Sequence, residues 1–578
     1  MRRNASNSLP FLMIALLAAT ACAAPSNPGE RQSQDALASP PRTKAITIGI
    51  IGNIEAMGAI GSGTSAGGWA SVREVHSSGL VTSDVHVHRP VGQLAQSAPT
   101  LDDGSISQLT DGRMRVVYTI RQGVTWQDGT PFTARDLVFS YQILNDRGIP
   151  TAPTDAVRFI ESVEAPNDRS FVVNFKSPYY LGGLLGIRDF WPHPLHLLGE
   201  VYSRYLATKD VDEFINLPYW TSQYVHTGPF RLASFTPGEE LTFAAYDGYF
   251  LGRPRVDVVR MKLIGNQNTL FANLLAGTVD VLLDGQLSHE LGFDLKDRWD
   301  VSGDGTVYVA PGTTRFLAPQ WRPDVQTEPA VLDPRVRAAL YQAIDRQAIA
   351  DFKMQPAWSL VTPNNSYYEA TKDAFRPFAY NPDRSKSTLQ DLGWTINSDG
   401  ALRNTSDGRA FKNAIWTTGG SYDWEIPFYA SFWRKIGLEV DEWTVPAPLI
   451  RNLEYRAHYP NWEASSGGSY DVLFGRFEGP GSSAESGWQG DRGGYNDSRG
   501  RELVGRFRTG LSERDTMQAM KAISDYVAAD LPILIFYFSS DHVGVRKGIL
   551  ALDDVDGAAA GSSNYGTFSR NAHLWDIR

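Results

Sequence analysis

Residues 116–144 read VVYTIRQGVTWQDGTPFTARDLVFSYQIL, and they carry the most legible local structure in the chain. Just upstream, Asp111-Gly112 is a hairpin signal, because glycine accepts the positive φ that a tight turn demands. Met114 to Ile120 then reads as a strand, with alternation clearest in its second half. Asp128-Gly129 marks another turn. Thr133 is placed to cap a helix, with Asp136 three residues on, and Leu137, Tyr141 and Leu144 fall on one helical face. The stretch predicts a hairpin, a loop and a capped helix.

Similar units extend in both directions. Ala45 to Ile51 (AITIGII) is a short β-branched run that predicts a buried strand. A Gly-rich stretch, Gly58 to Gly68, follows it, and then a strand-like zone from Val81 to about Ile106. Downstream, Asp333-Pro334 pairs an N-cap with proline at the first helical position. Val336, Ala339, Leu340, Ala343 and Ile344 continue it as an apolar stripe. Helices are also predicted at Ser385–Leu392, Pro427–Ile436 and Arg514–Ala529, the first two closed by Gly393 and Gly437. Strands are predicted at Leu438–Val445, Tyr470–Phe474 and Ile533–Phe538. Mixed strands and helices in alternation predict α/β layers.

The N-terminus has a different character. Arg2 and Arg3 precede an apolar, small-residue run from Leu9 to Ala24, too short to span a bilayer comfortably and shaped like a secretory signal. The one cysteine of the 578 residues, Cys22, stands where cleavage is expected. Ala19-Thr20-Ala21-Cys22 resembles a bacterial lipobox, so Cys22 is the expected lipid-attachment residue, although Ala19 stands where Leu is preferred. Residues 23–43 are rich in Ser, Pro, Ala and Gln and predict a flexible tether. With Cys22 assigned to lipid, no intrachain disulfide, thiolate metal site or cysteine nucleophile is available. The fold must rest on its core, for which 42% hydrophobic residues and 15 Trp are ample. The formal charge of −10 becomes −12 without Arg2 and Arg3, which argues against a nucleic-acid partner.

Taken together, several segments resemble the family 5 extracellular solute-binding proteins, the dipeptide, oligopeptide and nickel binders of ABC importers. Val116–Leu144 resembles the family's strand, Asp-Gly-Thr-Pro turn and helix opening, with Leu137 for the usual Val and Arg135 where an acid is common. Thr227 to Leu232, Leu275 to Asp280, Asp333 to Arg346, Lys435 to Val440, Tyr470-Asp471 and Asp530-Leu531-Pro532 resemble further family elements in the same order. The resemblance spans about Ile46 to Trp575. It implies an α/β, class II periplasmic-binding-protein-like fold, with two lobes, a hinge and an extra domain inserted in the first lobe. The expected division is a signal peptide at 1–21 and a tether at 22–43. Lobe I takes 44–90 and 205–305 around an inserted domain at 91–204, lobe II takes 306–543, and 544–578 returns to lobe I.

The resemblance further implies a binding protein without a catalytic step or cofactor, held outside the cytoplasmic membrane by its lipid. It captures a small solute, a peptide above all, and hands it to ABC permease subunits. A peptide's ammonium needs an ionic partner once desolvated. Peptide-binding members supply one within a Trp-then-Asp-Pro-Asp stretch that reads here FGRFEGPGSSAE, Phe474 to Glu485. Arg476 stands near the family's Trp and the Asp-Pro-Asp is missing. The candidate ligand-binding residues are therefore Arg476, Phe477, Glu478 and Glu485, with the aromatics Trp69, Trp424, Trp488 and Tyr495. Arg476 admits anionic ligands, and the aromatics admit an oligosaccharide.

Other motifs give different readings. Gly63-Thr64-Ser65-Ala66-Gly67 matches a nucleophile elbow, the basis of an alternative as a serine hydrolase using Ser65. About ten residues separate it from the preceding strand, where an elbow follows directly. No P-loop Gly-Lys-Ser/Thr occurs. His86 with His88, and His193 with His196, are the tight histidine pairs, and no metal site is assigned to them.

Overall fold

Ala45–Ile51 forms the parallel heart of a large sheet in the computed structural model. The structure describes residues 43–578 apart from 55, 58–68, 85–88, 151–153, 420–421, 468–472, 480, 487, 489 and 552–565, and apart from the side chains of Trp69 and Asp155. The expected signal, Cys22, the expected tether as far as residue 42, Ser65 and its glycines, His86, His88 and the Tyr470-Asp471 pair therefore lie outside the described residues.

The large sheet contains β1 (Ala45–Ile51), β2 (Phe230–Thr236), β3 (Glu240–Ala245), β4 (Val258–Ile264) and β5 (Val281–Leu282). It continues through β6 (Gly305–Pro319), β7 (Lys412–Thr417), β8 (Glu439–Thr444), β9 (Trp462–Gly467) and β10 (Leu534–Arg546). The strand order is β8-β7-β9-β6-β10-β5-β1-β4-β3-β2, with Gln355–Pro356 also pairing with β10. β1 runs parallel to β4 and β5, and Ile46, Ile48 and Ile50 are fully buried, as expected of a parallel strand covered on both faces.

Two apolar cores flank the long pair β6 and β10. One draws on residues from Phe316 to Phe538 and forms lobe II. The other joins residues from Ile46 to Leu283 with Val543, Val545, Ala551, Phe568, Ala572 and Trp575, and forms lobe I. The first half of β6 pairs with the second half of β10 beside β5, and its second half pairs with β9. The register shifts between Pro311 and Thr314, so the two crossing strands break their ladder where the lobes meet.

A third core, from Leu80 to Trp191, belongs to an inserted domain. Its antiparallel sheet orders Ile106–Gln108, Met114–Thr119, Ser170–Phe175 and Ile160–Asn167. The capped helix is Ala134–Asn145, and the Asp136 carboxylate accepts the Thr133 N–H at 2.8 Å. Gln127 fastens this domain to lobe I. Its side-chain amide donates to the carbonyls of His76, Gly228 and Phe230 at 3.3, 3.0 and 2.9 Å and accepts from His226 N–H at 3.0 Å.

The helices follow the sequence closely, at Pro334–Gln342, Pro382–Asp391, Glu425–Lys435 and Glu513–Asp530. Residues 470–472 of the strand expected at Tyr470–Phe474 lie outside the described residues, Leu473 and Phe474 lie in a helical turn, and β9 is a strand that the sequence did not predict. β9 carries Glu463 and Ser465 on one face, where ionic partners replace the apolar alternation that marks a strand.

The junction of lobe I and the inserted domain holds three buried imidazoles. His76 stacks on Phe243 at 5.1 Å, His193 meets Trp220 at 5.9 Å, and His226 stands edge-on to Trp126 at 5.8 Å. Burial first, and the Arg73 charge second, hold His76 and His193 down at about 3. Burial, then His76, His193 and Arg73, hold His226 well below its ordinary value. His196, the other member of the sequence pair, places its Nε2 2.6 Å from the Asp128 carboxylate. The unfolded chain binds protons at these histidines below about pH 6.5, whereas the folded chain resists them, so stability is full above that pH and is lost as pH falls. Each such histidine contributes a slope of up to ~1.4 kcal/mol per pH unit. The urea midpoint is expected to fall continuously from pH 6.5 to 4, and His76→Phe should reduce the dependence by about one proton.

Candidate ligand cleft

Open α/β sheets bind ligands beyond the carboxyl ends of their parallel strands, where the amide and side-chain groups of adjoining loops converge. In lobe I those ends belong to β1, β4 and β5. The Ile51 N–H donates to Gln286 Oε1 at 2.5 Å, which ties the ends of β1 and β5 together. Asp284, two residues beyond β5, accepts from Ser71 Oγ at the start of helix Trp69–His76.

In lobe II the corresponding end is that of β7. Tyr422, just beyond it, lies under the Arg315 guanidinium, 3.9 Å from its ring. Arg315 forks onto the Glu425 carboxylate at 2.8 and 2.5 Å, and the Tyr537 hydroxyl donates to the same carboxylate. The charge on each partner is thereby compensated inside the lobe.

The crossing strands lie between these ends. Thr313 N–H donates to Ser539 Oγ at 2.7 Å across the register break. Gly312 allows that approach, since a Cβ there would sit 2.8 Å from Ser539 Oγ and 3.2 Å from the Asp541 carboxyl carbon. Burial, then the neighbouring Asp284 charge, raises the Asp541 carboxyl to about 6, and Arg188 of the inserted domain opposes that rise. Lobe I, the crossing strands and the inserted domain thus each bring a charged group to one seam, with Tyr422 of lobe II within range of Asp541.

A second ionic cluster lies within lobe II. Glu463 on β9 receives Arg492 Nε at 2.8 Å, Arg456 Nη2 at 2.8 Å and Arg476 Nη1 at 3.4 Å. Arg476 and Arg492 also donate to Ser465 Oγ, and Arg476 lies 3.6 Å from Asp491. Burial alone would raise the Glu463 carboxyl, but Arg492, Arg476 and Arg456 drive it down to about 2.

The sequence-predicted residues separate on this frame. Arg476 is 7% exposed and engaged with Glu463, so it is no free anion receptor. Phe477 is fully buried against Phe474, and Tyr495 packs on Trp321 while its hydroxyl meets Asp530 at 2.7 Å. Glu478 pairs with Arg508 at 2.6 Å, and Glu485 is exposed. Trp488 lies against His458 and below Arg322. Trp424 stacks on Phe352 at 4.6 Å beside Tyr537. Trp69 opens its helix. The sequence reading missed Asp284, Asp541, Arg188 and Tyr422. The signal for Asp541 was a polar Ser539-Ser540-Asp541-His542 run inside an otherwise apolar strand. Among the described residues no group of three or more His, Cys, Asp or Glu is placed to hold a metal ion.

Two lobes joined by a pair of crossing strands, with an inserted domain on the first, define a two-lobed α/β binding protein. The model of the bacterial extracellular solute-binding proteins, family 5 (Middle), matches residues 89–497, and the chain belongs to that family. It is 24% identical over 466 residues to the oligopeptide-binding protein AppA of Bacillus subtilis, covering 77% of this chain and 79% of that one. A putative ABC transporter peptide-binding protein of Brucella ovis is 28% identical over 321 residues, 54% of each chain. The oligopeptide-binding protein of Thermus thermophilus, solved with a pentapeptide, shares the fold with a TM-score of 0.69 at 20% identity, over 92% of this chain and 96% of that one.

Glu463 is the common anchor of three guanidinium groups. Glu463→Ala is expected to cost about 3–5 kcal/mol, the usual cost of leaving buried charges without their partner, read from chemical denaturation at pH 7.

Proposed function

We propose that this chain is the receptor of an ABC importer, closing its lobes on a peptide and presenting the closed form to a membrane permease. The supporting observation is the seam itself. Lobe I, the crossing strands and the inserted domain each bring a charged group to a place where the backbone ladder is interrupted. Such a seam binds by having higher affinity for a guest when closed than when open. Asp541 and Asp284 form the natural partner for a desolvated ammonium. In lobe II, Glu478 is engaged with Arg508. The oligosaccharide reading is weaker, because Trp424 and Tyr495 are packed against other rings. No bond of the guest is made or broken in this scheme.

Among the described residues no helix is long and apolar enough to cross a membrane. We assign retention at the membrane to a lipid on Cys22. Cys22→Ser is expected to move the protein from the membrane fraction to the soluble one, and unchanged retention would count against the anchor.

Native mass spectrometry of protein purified from rich medium should find peptide bound. A free-amine peptide at 100 times its dissociation constant is expected to stabilise the fold by about 2.7 kcal/mol. Affinity should decline as pH falls through about 6, where Asp541 takes up a proton. Asp541→Asn should remove that dependence and weaken free-amine peptides at least tenfold relative to N-acetylated ones. Stabilisation by oligosaccharides alone, or chemical turnover of any peptide, would refute the proposal.

A further inference from the structure

The inserted domain is fastened to lobe I, because Gln127 bonds it to three lobe I carbonyls and the Tyr246 hydroxyl donates to the Trp126 carbonyl at 2.9 Å. The same domain also touches lobe II. Tyr180 N–H donates to the Arg508 carbonyl at 2.8 Å, and the Tyr180 ring lies 4.7 Å from that of Phe507. Tyr180 packs against the cores of both the inserted domain and lobe II. From the facing side, Leu511 of lobe II packs against the inserted domain's core. The Arg508 guanidinium is steered by Glu478 and lies 6.0 Å from the Phe159 ring of the inserted domain.

This contact differs from the seam at the crossing strands. It joins two bodies with no backbone continuity at that point, and it uses apolar surface that opening would return to water. The loop that bears Tyr180 continues to Arg188, which reaches the field of Asp541. One segment therefore runs from this contact to the crossing strands.

We propose that Tyr180, with Leu511 opposite, is a latch that holds the lobes together without a guest and so determines how much of the protein is closed. It acts on affinity without touching the ligand, because apparent affinity scales with the fraction of binding-competent protein. The inference rests on the two-lobed fold and is independent of what the cleft binds.

The test uses the full chain carrying Cys22→Ser, with fluorophores on Lys176→Cys and Arg506→Cys beside the latch. Any co-purified guest is removed by unfolding and refolding, and single-molecule energy transfer then counts closed and open molecules. A high-transfer population is expected without ligand. Tyr180→Ala should reduce the closed-to-open ratio about tenfold, equivalent to ~1.4 kcal/mol. Tyr180→Phe should retain most of the parent's ratio, since it keeps the ring that packs on Phe507, whereas the backbone N–H is common to all variants. Leu511→Ala should shift the ratio in the same direction from the other side and serves if Tyr180→Ala folds poorly. A parent with no high-transfer population, or an unchanged ratio in both alanine variants, would overturn the latch. Neither outcome bears on the peptide reading, which the mass measurement decides.

Discussion

The antiparallel pairing of β6 with β10 is the constraint on which the rest of the molecule depends. Each strand lies in one lobe at one end and in the other lobe at the other end, so the large sheet is continuous across both. A continuous sheet would be stiff. The register shift between Pro311 and Thr314 interrupts it, and Gly312 lets Ser539 and Asp541 approach the break. Irregularity in a ladder bends and re-aims a strand locally. Here it falls between two separate apolar cores, where a change of angle disturbs neither.

Charge is handled differently on the two sides of that break. Within lobe II, buried ions are compensated by one another: Arg315 with Glu425, and Glu463 with three arginines. At the seam compensation is incomplete, and burial, then repulsion from Asp284, push the Asp541 carboxyl up to about 6 by disfavouring its charged form. A carboxylate held above its usual range is one that an incoming cation can stabilise. The contrast sets structural ions apart from the groups proposed to meet a ligand.

Local signals in the sequence are reliable where one turn of chain determines the outcome. Thr133 with Asp136, and Asp333 with Pro334, each place a helix start within their own few residues. Strand β9 escapes sequence reading because its inward polar face is satisfied by Arg456, Arg476 and Arg492, partners that come from other segments. β10 reads short for a related reason, since Ser539 to Asp541 look like a strand end unless β6 is known to lie opposite. The site is the least legible part. Glu478 and Phe477 sit where family likeness directs attention, but packing engages one with Arg508 and buries the other, whereas Asp284 and Asp541 meet only through the fold.

Lobe I also has a consequence for the order of assembly. Its core requires Val543, Val545, Phe568 and Trp575, and β5 obtains an antiparallel neighbour only from β10. These partners follow the whole of lobe II in the chain, so a growing polypeptide cannot complete its first lobe until the second has been synthesised. Long-range closure of this kind is slow. Until then the inserted domain and lobe II, each with a core of its own, can form while the faces of β1 and β5 still wait for their last neighbours.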